Sequence, residues 1–194
     1  MNLVVIDYGA GNVQSVKYAL NRLGVQATLS KDPEVIQGAD KILFPGVGSA
    51  NAAMESLRQN NLDVIIPQLK QPFLGICLGM QLMCKHSQEG NTTGLNIVDL
   101  EVLKFEGKEK IPHMGWNHLS DTKSSLFQGF NEQDQVYFVH SYFVPDNEFT
   151  IASCDYMGKF SAAIQKDNFY AAQFHPEKSG PAGELILKNF IELV

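Results

Sequence analysis

Apolar positions along the first half of the chain fall into two alternating patterns. Short strand-like runs lie at 3–6, 27–29, 41–44 and 73–77. Between them Val13, Val16, Leu20 and Leu23 recur at helical spacing within 12–23, and similar helical patterns cover 52–59 and 63–69. Gly24 stands where a helix C-cap glycine belongs. Runs with no polar alternation read as strands buried on both faces, and strands alternating with helices read as βαβ units. The pattern predicts an α/β fold: a mostly parallel, open twisted sheet with flanking helices.

After residue 95 the pieces shorten. Strands are expected at 97–103, 111–118, 136–140, 150–156, 161–165 and 170–174, with charged turns between them, and a closing helix at 183–193. These pieces suit a smaller antiparallel sheet beside the main one. No repeat, low-complexity tract or linker interrupts the chain, so a single domain over 1–194 is the expectation.

Composition narrows the function. The 194 residues are 44% hydrophobic and 19% charged, which is ordinary for a globular protein and unlike a disordered one. A formal charge of -6 argues against sequence-independent binding to nucleic acid or to an anionic membrane. No apolar run approaches the roughly 20 residues that span a bilayer. Residues 1–7 lack a charged leader and a small-residue cleavage site, so they read as a first strand and the expected location is cytoplasmic. The three cysteines, Cys77, Cys84 and Cys154, show no C-x-x-C spacing, so neither a disulfide framework nor a zinc site is expected. No metal or cofactor is called for.

The most informative segment is Gly75-Ile76-Cys77-Leu78-Gly79-Met80-Gln81. A strand runs into Gly-x-Cys-x-Gly and a helical pattern follows at once, the form of a nucleophile elbow with cysteine at its tip. The sharp turn needs small neighbours two residues away on either side, and glycine meets that need. The turn puts the sulfur at a helix start, and the backbone N–H of Leu78 is placed to receive a developing oxyanion. The alternative is a buried structural thiol between tightly packed glycines. Cys84, one turn further along the same expected helix, and Cys154 in a strand fit that plainer description.

A thiol nucleophile needs a base, and the base an orienter. Of the five histidines, His175 lies just past a predicted strand end in Gln173-Phe174-His175-Pro176-Glu177-Lys178-Ser179. Functional loops of an open parallel sheet gather at strand carboxyl ends, so this loop and the elbow can meet. Glu177 can accept the second ring N–H of His175. The His-x-Glu spacing also occurs in zinc deaminases, but the Pro-Cys-x-x-Cys they require is missing. His86, His113, His118 and His140 read more readily as packing or surface residues.

Pro45-Gly46-Val47-Gly48 follows the third predicted strand and can turn a backbone N–H toward an oxyanion, although alone it reads as a strand-to-helix turn. Gly9-Ala10-Gly11 lacks the third glycine of a dinucleotide fingerprint, because Gln14 stands there. Taken together, the elbow, Pro45-Gly46-Val47-Gly48 and Gln173-Phe174-His175-Pro176-Glu177 resemble the three signature segments of the class-I (triad) glutamine amidotransferases. Further marks lie in 7–12 with Ser15-Val16, in Pro112-His113-Met114-Gly115-Trp116-Asn117, in Tyr137-Phe138-Val139-His140-Ser141-Tyr142 and in 175–180. Those marks resemble the branch of the family that supplies ammonia to a cyclase of histidine biosynthesis.

The resemblance implies the family's fold, with a flavodoxin-like core. It also implies a glutaminase that works as a heterodimer with a separate (β/α)8-barrel cyclase subunit, without a cofactor. Carried over by motif, Cys77 is the nucleophile, His175 the base and acid, and Glu177 its orienter. Val47 or Gly48 with Leu78 would form the oxyanion hole. Gly48, Gln81, His140, Ser141 and Tyr142 would hold the glutamine. Met114, Trp116 and Asn12 are candidates for the partner interface. Three other functions share some of these features: a paralogous glutaminase feeding a barrel synthase in surface-sugar synthesis, the glutaminase of pyridoxal phosphate synthase, and a non-catalytic regulatory module. Segments 7–12 and 112–117 argue against the second, and the complete Cys77, His175, Glu177 set against the third.

Overall fold

The unbroken apolar runs lie side by side as strands whose two faces both meet helices. The computed structural model describes residues 1–9 and 12–194. Its first half runs β1 (Leu3–Ile6), α1 (Val13–Arg22), β2 (Ala27–Ser30), α2 (Pro33–Gln37), β3 (Lys41–Gly46), α3 (Ala50–Gln59), α4 (Leu62–Ile65), β4 (Phe73–Cys77) and α5 (Leu78–Met83). The second half adds β5 (Cys84–Ser87), β6 (Thr92–Thr93), β7 (Val98–Lys104), β8 (His113–His118), β9 (Gln135–His140) and β10 (Tyr142–Phe143). It closes with β11 (Thr150–Asp155), β12 (Lys159–Lys166), β13 (Phe169–Ala172) and α6 (Gly180–Glu192).

The main sheet has seven strands in the order β11-β12-β13-β4-β3-β1-β2. Strands β2, β1, β3, β4 and β13 are parallel, while β12 and β11 pair antiparallel at one edge. Successive residues of each central strand feed opposite sides. Leu3, Val5, Leu43, Leu74 and Ile76 join one core with Val16 and Leu20 of α1 and Ile186, Leu187 and Phe190 of α6. Val4, Ile6, Ile42, Phe44 and Phe73 join the other with Met54 and Leu57 of α3. Two buried faces leave no room for polar alternation, which is why these strands read as plain apolar runs.

Local signals terminate the helices. Gly24 takes φ +73 and its N–H reaches Asn21 O at 3.0 Å, closing α1 as the sequence predicts. Asp32 caps α2 by accepting from Glu34 N at 2.9 Å, with Pro33 in the first turn. At five residues, α2 is too short to show helical periodicity in the sequence. The closing helix begins at Gly180, three residues before the predicted start, because Pro181 is tolerated in a first turn. The helix after the elbow is shorter than expected. It ends at Met83, so Cys84 opens β5 instead of lying one turn further on. Trp116 sits within β8, inside the strand expected at 111–118.

The smaller antiparallel sheet is in fact two. β8 and β9 form an antiparallel pair, and β10-β7-β5-β6 form a mixed sheet in which β5 and β7 are parallel. Position matters most for β1. The chain leaves it for β2 on one side and β3 on the other, so the strand order reverses there. In such sheets, sites form outside the carboxyl ends of the strands. Those ends carry Gly46 at the end of β3 with Val47 and Gly48 after it, Cys77 at the end of β4, and His175 beyond β13. β3, β4 and β13 are adjacent, with Gly46 paired to Cys77 and Ala172 to Ile76.

Candidate active site

Cys77 closes β4 and α5 starts at the next residue. Its backbone takes φ 54 and ψ -108, a conformation that costs a residue with a side chain about 1–3 kcal/mol and persists only where the surroundings enforce it. They do so here by close packing. A Cβ on Gly79 would stand 2.0 Å from Phe44 O, and one on Gly46 would stand 3.0 Å from Gly79 N. The end of β3 is thus pressed against the elbow, which holds Val47 and Gly48 beside the sulfur.

His175 is fully buried and its backbone N–H is tied to Tyr137 O at 2.9 Å. Its Nδ1 lies 2.7 Å from Glu177 Oε1, so Nδ1 carries the proton and Nε2 is left for the sulfur side. Burial alone lowers the imidazole pKa. Hydrogen bonding and charge from Cys77 and then Glu177 outweigh burial and raise it to about 9. Glu177 is held in turn by the side-chain N–H of Asn12, which is itself 7% exposed. His175, Glu177 and Asn12 therefore form one buried cluster, in which Glu177 Oε1 meets both His175 Nδ1 and the Asn12 amide, and the Nε2 of His175 keeps no hydrogen-bond partner of its own among the described residues. An imidazolium beside a thiol favours the thiolate and supplies the proton a leaving group needs.

A cavity of about 330 Å³ opens over the sulfur. The sequence-predicted Val47, Gly48, Leu78, Gln81, His140, Ser141 and Tyr142 all line it with Cys77 and His175. Glu177 and Asn12 stand behind His175, outside the cavity wall. Met114 and Trp116 project from β8 at 59% and 53% exposure, with Trp116 edge-on to Tyr137 at 5.8 Å. Of the Gly9-Ala10-Gly11 segment, Ala10 and Gly11 lie outside the described residues.

Several site residues were not singled out from sequence. Glu89, Pro112, Val139 and Lys178 also line the cavity, and Gln173 reaches Cys77 Sγ at 3.8 Å. Gln173 and Lys178 sat inside a quoted motif, so a signal was present. Glu89 lay in a stretch that carried none. The other two thiols differ from Cys77: burial pushes both Cys84 and Cys154 up to about 12, so they stay protonated. Among the described residues no group of three His, Cys, Asp or Glu could hold a metal ion, and no helix is long and apolar enough to cross a membrane.

Comparison with known proteins points the same way. The family model for class-I glutamine amidotransferases matches residues 4–193. The imidazole glycerol phosphate synthase subunit HisH of Bacteroides fragilis is 58% identical over 196 residues, covering 100% of both chains. The protein of the same name from Escherichia coli is 48% identical over the same span and coverage. A solved structure described as a glutamine amidotransferase superposes with a TM-score of 0.77 at 17% identity, covering 98% of this chain and 97% of that one. That last likeness bears on the fold alone.

Proposed function

Because this chain belongs to the class-I glutamine amidotransferase family, we propose that it hydrolyses glutamine with Cys77 as nucleophile, as the glutaminase subunit of an imidazole glycerol phosphate synthase. The observation that carries the reading is the holding of His175: Nδ1 is fixed on Glu177 at 2.7 Å and its pKa is raised chiefly by Cys77.

The thiolate of Cys77 attacks the side-chain amide carbon of glutamine, forming a C–S bond as the carbonyl electrons move onto oxygen. As the first residue of α5, Leu78 has a backbone N–H with no partner inside the helix, and this N–H receives the oxyanion together with one from Val47 or Gly48. His175 gives its Nε2 proton to the departing nitrogen, the C–N bond breaks, and ammonia leaves a γ-glutamyl thioester. The now neutral His175 takes a proton from water, which attacks the thioester. The C–S bond breaks, glutamate departs and the thiolate returns. Gln81 has its side-chain nitrogen committed to Tyr142 O and Gln173 Oε1, so toward the cavity it offers only its oxygen. It therefore accepts from the α-ammonium or the amide of the substrate.

The relatives' names specify a subunit of a synthase, so a partner subunit is implied. We take the partner to be a (β/α)8-barrel cyclase in a heterodimer, covering the exposed Met114 and Trp116 and receiving the ammonia. Asn12, the third interface candidate, is buried against Glu177. Identity of 48% and 58% to histidine-pathway subunits favours this partner over a barrel synthase of surface-sugar synthesis.

The test is glutamate release from glutamine, with and without the cyclase subunit and its nucleotide substrate, with Cys77→Ala alongside. Strong stimulation that Cys77→Ala abolishes supports the proposal. Release that persists in Cys77→Ala, or none under any condition, overturns it.

A further inference from the structure

Besides His175, two polar groups face the sulfur of Cys77: the Val139 carbonyl at 3.9 Å, which can only accept, and the Gln173 side chain. Gln173 is fully buried, its backbone N–H is fixed on Ala162 O at 2.8 Å, and its side-chain nitrogen lies 3.8 Å from Cys77 Sγ. Whether this side chain shows the sulfur a donor or an acceptor is decided two residues away. The Tyr142 carbonyl can only accept, and it lies 3.0 Å from Gln81 Nε2 and 2.7 Å from His140 Nδ1. Gln81 must therefore point its nitrogen at that carbonyl. The same nitrogen lies 2.9 Å from Gln173, which must answer with its oxygen. With that oxygen committed, Gln173 can present only N–H to the sulfur.

The far side of the carbonyl is fixed just as firmly. With Nδ1 donating to Tyr142, the Nε2 of His140 has to accept, and it does so from Nδ1 of His113 at 2.9 Å. His113 Nε2 then faces the Asn117 amide nitrogen at 3.4 Å. Both acceptor roles need neutral rings. Burial supplies this by lowering His140 to about 3 and His113 to about 4.

We propose that Gln173 is a further catalytic residue of this site: its carboxamide N–H donates to the Cys77 sulfur and stabilises the thiolate, with that polarity set by the Tyr142 carbonyl through Gln81. The proposal rests on Cys77 being the nucleophile. It gives the thiolate two donors, the His175 imidazolium and a neutral amide that cannot lose its proton when His175 hands one to the leaving group. The sulfur thus keeps one donor through both halves of the reaction.

The experiment follows the rate of iodoacetamide alkylation at Cys77 against pH in the full-length protein, read by mass spectrometry of the Cys77 peptide. Parent, Gln173→Leu and Gln81→Leu are compared. Removing a hydrogen bond to a charged group in Gln173→Leu moves the alkylation midpoint upward by roughly one pH unit. In Gln81→Leu, Gln173 remains but is free to turn, and the midpoint rises by less. A loss of packing alone lowers thermal stability and leaves the midpoint where it was. If Gln173→Leu fails to fold, Gln81→Leu still decides the matter. Unchanged midpoints in the folded variants overturn the role of Gln173 and leave the triad intact. Glutaminase activity that survives Cys77→Ala removes the triad and this proposal together.

Discussion

Asn12 and Glu177 are 165 residues apart in the chain, yet the side-chain amide of one donates to the carboxylate of the other in the protein interior. Glu177 aligns His175, so Asn12 acts on the base at one remove. It is a positioning residue, immediately ahead of α1. Replacing it with Ala leaves Glu177 short of a donor and lets the carboxylate turn. Steady-state kinetics of Asn12→Ala in the complex should show kcat lowered about tenfold, near 1.4 kcal/mol, with KM nearly unchanged. Asn12→Asp sets two carboxylates against each other and should lose more. Parent-like kcat in both variants would mean that Glu177 needs no help.

Cys77 is the largest influence raising His175, so removing the sulfur should release the imidazole. In Cys77→Ala the His175 pKa falls from about 9, as read by NMR titration of the ring. Stability follows with a definite sign. A histidine raised above its ordinary 6.5 stabilises the fold fully below that pH, and the contribution is lost as pH rises through about 9. Urea unfolding of the parent should therefore weaken over that window, and that of Cys77→Ala should weaken less.

His113 and His140 contribute the opposite slope. Both are held below 6.5 when folded, at about 4 and about 3, so between those values and 6.5 the unfolded chain binds more protons. Stability should fall as pH drops below about 6.5. His113 stacks between Phe138 and Tyr156, at 4.8 and 4.0 Å, so His113→Phe keeps the stack and removes one titrating ring. Its unfolding midpoint should decline less between neutral and mildly acid pH. A decline as steep as the parent's would place the sensitivity elsewhere.

Gly79 tests the elbow packing. Its missing side chain leaves Phe44 O where a Cβ would come within 2.0 Å, and backbone cannot yield as a flexible side chain can. Gly79→Ala should lower stability by more than about 3 kcal/mol in urea unfolding and displace Cys77. A folded, active Gly79→Ala would show that β3 can shift at its end.

How much of this was legible beforehand follows from the range over which each signal acts. The central strands announced themselves because burial on both faces writes an unbroken apolar run, and the elbow because its turn admits only glycine at 75 and 79. The pairing of His113 with His140 was not visible. They sit opposite each other because β8 pairs with β9 in that register, and no local pattern states which strands become partners. Asn12 read as a loop residue for the same reason, since its burial depends on Glu177 arriving from the far end of the chain. The second helix was too short for periodicity, although Asp32-Pro33 held its cap. Gln173 was quoted within a motif, but its direction depends on a carbonyl that composition cannot orient.

The place of β13 in the sheet has a consequence for timing. It lies against β4, although 96 residues separate Gln173 from Cys77. On the ribosome the nucleophile emerges long before its base. A chain cut short ahead of β13 carries the elbow and β1 through β12, yet its cysteine has neither His175 nor Gln173 for company. The catalytic arrangement therefore forms only when β13 takes its place between β4 and β12. The order in which the parts are made thus withholds catalysis until the sheet is whole.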